Sequence, residues 1–174
     1  MLPRLAARRT IAAPSKGSTG RPSVDLYPWL KTLHILFAIV AVGFNISYGI
    51  WQARAAREPE HTGYALRGIK FLDDRVANPS YADLLIVGII LVLIGPYEFD
   101  QLWVALAIGL YLVMGAVAFL FYSPTLRRQI AAYESSGAQS PEFIALGNRG
   151  RMVGMILAVI VVAIIVLMVV KPGA

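Results

Sequence analysis

The sequence predicts an all-α fold: a polytopic membrane protein whose four transmembrane helices form a bundle, with a short amphipathic interfacial helix between helices 1 and 2. Composition is the first observation behind this. Of 174 residues, 57% are apolar and 15% charged, and mean hydropathy is +0.65, whereas soluble domains run near 45–50% apolar and 25% charged. The second is the spacing of charges. They leave uncharged runs at 32–53, 84–97, 101–126 and 152–170, against the roughly 20 residues that cross a bilayer. The third is the punctuation between the runs, where Pro and capping residues mark helix starts.

The first span, about 28–56, opens at Pro28, whose missing N–H has no partner to lose in a first helical turn. Tyr27 and Trp29 anchor it at the interface. The second, about 79–97, reaches membrane length if Asn78-Pro79-Ser80 supplies a cap and a Pro at the first helical position. The third covers about 100–122, and Ser123-Pro124 marks a kink or stop before Arg127-Arg128. The fourth starts at the Ser140-Pro141-Glu142 cap and crosses the membrane over about 150–170.

These boundaries divide the chain into a tail, 1–24, and a transmembrane domain, 25–174. The tail is basic and acid-free, with a linker-like stretch at Pro14 to Gly20. It reads as disordered, with a targeting segment or a start assigned too far upstream as alternatives. Nine Lys and Arg residues lie at 54–75 and 127–151, while the turn between spans two and three holds only Glu98 and Asp100. The positive-inside rule then places both termini in the periplasm of a bacterial inner membrane, against the pull of five basic residues in the tail.

Between spans one and two, Leu66, Ile69, Leu72 and Val76 recur at helical spacing. They describe an amphipathic helix lying in the interface or packed on the end of the bundle. The net charge of +6 suits anionic headgroups, and without a basic and aromatic array no nucleic-acid partner is expected.

The most informative pattern is His34, Ala38, Ala41, Asn45, Tyr48 and Gln52. At 100° per residue all six fall within roughly 40° of one line. Polar groups in hydrocarbon need partners, so His34, Asn45, Tyr48 and Gln52 form a polar intramembrane stripe facing the bundle or a wet cavity. One reading is a packing seam. The other makes His34 a ligand or proton carrier, with Asn45 and Tyr48 beside a cofactor. Gly147, Gly150, Gly154 and Ala158, and likewise Ala105 and Gly109, are small residues at helix-packing spacing, within the chain or across a homo-oligomer.

Other clusters carry less. Asp73-Asp74-Arg75 reads as a solvated interface turn with local ion pairing, the alternative being a proton relay. Glu58-Pro59-Glu60-His61 reads as exposed polar residues rather than a metal site. With no Cys and two His, no thiolate site or histidine-rich centre is expected, and no catalytic group or metal site is assigned.

Trp29-Leu30-Lys31 leading into Leu33-His34, Asp74-Arg75 before the second span, Gly88 within it, and Pro124 with Arg127-Arg128 after the third make residues 26–170 resemble family 2269, bacterial predicted integral membrane proteins of unknown function. The resemblance implies a four-helix inner-membrane protein without an assigned activity. The Lys31 to His34 opening also looks like the first helix of CopD and HemJ-type membrane proteins, and the latter would imply haem near His34. The expected function is therefore a non-enzymatic accessory, assembly or small binding subunit, with the lipid bilayer and a homo-oligomer or membrane-complex partner around it. Haem b held by His34, in a redox protein, is one alternative; a small transporter or channel lined by the stripe is the other.

Overall fold

In the computed structural model, residues 25–173 are described, and the basic tail at 1–24 lies outside them. Among the described residues every regular element is helical. Four helices, α1 (Leu26–Ala55), α2 (Pro59–Ile94), α3 (Leu102–Ser136) and α4 (Pro141–Val170), are each long and apolar enough to cross a membrane. The Asp25 carboxylate accepts from the Tyr27 amide at 3.1 Å to start α1. Ser140 does the same for α4, accepting from the Phe143 amide at 3.3 Å.

Two proline positions differ from the expected boundaries. Asn78-Pro79 does not begin a helix and Ser123-Pro124 does not end one; α2 and α3 run on through both. Each helix widens the preceding turn instead, over Asp73–Ala77 and Ala118–Tyr122, so that Asn78 N–H reaches the Asp73 carbonyl and Ser123 N–H the Ala118 carbonyl, five residues back. A proline cannot donate to the carbonyl four residues back and its ring crowds that carbonyl, and one expanded turn relieves both. Asn78 is not a cap; its side-chain amide donates to Asp73 Oδ2 at 3.4 Å.

The helices converge at the end carrying the basic loops. There Tyr48 of α1, Leu66, Ile69 and Ala77 of α2, Tyr122 and Leu126 of α3, and Val153 of α4 form one buried cluster. The amphipathic turns Thr62–Leu72 thus point Leu66 and Ile69 at the bundle, while Tyr64 and Phe71 stay exposed. The Lys and Arg residues of the adjoining loops belong in water, and beside water burying each large apolar side chain contributes about 1.5–3 kcal/mol. Farther into the membrane α1 packs along α2 and α3 along α4. Hydrocarbon offers no such gain, so packing and polar bonds carry association there.

At the opposite end a cation and three aromatic rings join all four helices. Lys171, just past α4, donates to the Tyr97 hydroxyl and lies 4.2 Å from the Tyr97 ring centroid. Tyr97 stacks edge-on against Trp103 of α3 at 4.9 Å, and a Cβ on Gly95 would stand 2.6 Å from the Tyr27 ring of α1. Lys171 adopts φ 48°, left-handed, which costs a non-glycine residue about 1–2 kcal/mol and turns its side chain back onto the rings.

Candidate functional site

The 3.6-residue period of α1 sets which side chains face α2 and α3. His34, Ala38, Asn45 and Gln52 are half-buried, Ala41 and Tyr48 fully buried, while Leu36, Ile39, Ile46 and Ile50 on the other side are exposed. The stripe therefore has neighbours, and they are polar. Asn45 Nδ2 donates to the Ala41 carbonyl at 2.9 Å and to the Tyr81 hydroxyl of α2 at 2.8 Å. Tyr111 of α3 donates to the Tyr81 carbonyl at 2.6 Å, and the two rings meet edge-on with centroids 6.4 Å apart. Asn45, Tyr81 and Tyr111 thereby tie three helices together.

Toward the basic loops this line ends on an acid. Asp73 is 5% exposed, within electrostatic range of Tyr48, Tyr81 and Tyr122, and the Tyr48 hydroxyl is buried without a hydrogen-bond partner. Lys70, Arg127 and the Asn78 amide lie around the carboxyl, with Asp74 beside it in the chain. Asp74 pairs with Lys70. The cluster expected to be a solvated turn is therefore split, with Asp74 and Arg75 exposed and Asp73 buried. Reading 73–75 as one patch missed this. The signal was present, because Leu66, Ile69, Asp73, Ala77 and Ser80 are spaced by three and four residues and all are buried.

His34 occupies the other arm of the stripe. Its ring lies where α2 comes closest, so that a Cβ on Gly88 would be 2.9 Å from Cε1 and 3.5 Å from Nδ1. Nδ1 is buried with no partner, and the Leu84 backbone faces the ring. These surroundings do not fit a haem: α1 and α2 close directly on the imidazole, and a macrocycle on either nitrogen requires them to part. Among the described residues no group of three His, Cys, Asp or Glu side chains could hold a metal ion.

Of the small residues, Gly147 and Gly150 face α3, where a Cβ would meet Gln129 Nε2 at 3.0 Å and Thr125 Cγ2 at 3.8 Å. Nothing lies within 4 Å of a Cβ on Gly154 or Gly109, and Ala158, Ala105 and Gly109 are exposed.

A groove outside the stripe has a volume of about 600 Å³ and lies open between α1 and the first turns of α2, beside Trp51, Arg54, Glu58 and Tyr64. It does not reach the Asp73 cluster.

The family model for predicted integral membrane proteins of the DUF2269 type matches residues 28–172. The chain belongs to that family. The match takes in every residue of the stripe, Asp73 and, but for Leu26 and Tyr27 at the start of α1, all four helices of this DUF2269 protein, which is an integral membrane protein with four candidate spans. Comparison with curated proteins and with solved structures gave no significant match. The likeness of the Lys31–His34 opening to CopD and HemJ-type proteins has no counterpart among these findings.

Proposed function

We propose that this DUF2269 protein is a non-enzymatic subunit of a bacterial inner membrane in which the polar stripe of α1 and Asp73 of α2 form one wall of a path for protons. The observation that carries the reading is the burial of Asp73, at 5% exposure, at the end of a line of hydroxyls and amides. A carboxyl buried among packed helices is costly, and such groups are candidates for ion and proton routes. A hydrated cation needs a pore, whereas a proton needs only groups able to exchange it over short distances, which suits Asp73, Tyr48 and Tyr81. The basic loops belong on the cytoplasmic side, both termini in the periplasm, and Asp73 at the cytoplasmic mouth. The outward small residues Ala105 and Gly109 suit a second copy or a membrane partner supplying the opposite wall.

Proton uptake into proteoliposomes under an imposed pH gradient tests this. Wild-type protein should dissipate the gradient severalfold faster than Asn45→Leu, which breaks the link between α1 and Tyr81. Equal rates in both, at the level of empty vesicles, reject it.

A further inference from the structure

The groove beside α1 has a chemical asymmetry unrelated to the proton path. Its apolar wall is Ile50, Trp51 and Tyr64. A smaller groove of about 180 Å³ shares Trp51 and Tyr64 and runs on past Gly68 to Phe71 and Leu72. Gly68 leaves that floor open, with nothing within 4 Å of a Cβ placed there. The polar end presents both signs of charge. Arg54 Nη2 lies 3.2 Å from Glu58 Oε1, and His61 Nδ1 lies 3.4 Å from Glu58 Oε2.

We infer that these adjoining grooves are a phospholipid site selective for a phosphoethanolamine headgroup. Trp51 and Tyr64 mark the depth at which headgroups lie, and the two grooves offer separate apolar tracks for two acyl chains. The Arg54–Glu58 pair is half exposed, and such pairs contribute little, so it opens readily to a better partner. The planar guanidinium of Arg54 matches a phosphate in two-point contact. Glu58 accepts from a primary ammonium, which carries three donors. Choline has no N–H to give, and a glycerol headgroup brings no positive charge to meet Glu58. Phosphate alone does not explain the site, because Glu58 and Glu60 repel a purely anionic lipid.

Native mass spectrometry of the full chain in detergent, offered equal amounts of phosphatidyl-ethanolamine, -choline and -glycerol with identical acyl chains, tests the inference. With one charge-assisted hydrogen bond more than its competitors, the ethanolamine lipid should be retained roughly tenfold over the other two, a difference of about 1.4 kcal/mol. Glu58→Gln should level the three, and Arg54→Gln or Trp51→Ala should lower all of them. An ethanolamine lipid whose amine is acylated should compete with wild-type protein no better than the choline lipid, a result that depends on no variant's folding. Equal retention of the three by wild-type protein, a preference for the glycerol lipid, or selectivity that survives Glu58→Gln overturns the inference.

Discussion

The imidazole of His34 fills the space that a side chain at Gly88 would need: a Cβ there would stand 2.9 Å from Cε1. Helices α1 and α2 approach closely because one position carries a ring and the other carries nothing. Gly88→Ala should therefore destabilise the protein by about 1–3 kcal/mol, the usual cost of overpacking. Thermal unfolding in detergent measures this. His34→Ala should restore most of the loss in the double variant; an unchanged loss would mean that the ring is not what Gly88 accommodates.

Asp73 is 5% exposed, and burying a charged carboxylate costs stability that a neutral amide of the same shape does not. At neutral pH Asp73→Asn should therefore unfold at a higher temperature than wild type, as thermal unfolding in detergent would show. A lower unfolding temperature for Asp73→Asn would contradict the burial of the charge.

Tyr81→Phe removes the hydroxyl that accepts from Asn45 at 2.8 Å. Interhelical bonds of this kind contribute about 0.5–1.5 kcal/mol. A double-mutant cycle with Asn45→Ala should show coupling of that size, and additive single losses would remove the bond from the account.

At the far end, Lys171→Met should loosen the contact with Tyr97 and Trp103 and cost about 0.5–2 kcal/mol. Trp103 is 4% exposed, so increased quenching of tryptophan emission by acrylamide would report the opening. Quenching equal to that of wild type would show that the rings hold without the cation.

Orientation is accessible because the chain has no cysteine. Phe99→Cys and Ser136→Cys place single thiols at opposite ends, both at exposed positions. An impermeant maleimide applied to intact spheroplasts should label position 99 and spare 136; the reverse pattern would invert the topology.

Much of this was legible in the sequence where a local rule coincided with a global one. The four helices follow from the spacing of charges, and the inward face of α1 from spacings of three and four between His34 and Gln52. What escaped depended on distant partners. Pro79 and Pro124 read as boundaries because proline removes a donor, but an expanded turn absorbs that loss when the helix on either side is held by packing. Gly88 carries no local signal; its role exists only opposite His34. Asp73 was obscured by Asp74 and Arg75, although its four-residue offset from Ile69 places it on the buried line.

The central claim, that Asp73 closes a proton path along the stripe, is tested most directly by comparing wild type with Asp73→Asn in the same proteoliposomes. Asparagine keeps the shape and hydrogen bonding but cannot hold a titrating proton. Wild-type vesicles should collapse an imposed pH gradient, and Asp73→Asn vesicles should hold it as empty vesicles do while the protein stays folded. Undiminished proton flux through folded Asp73→Asn would contradict the claim.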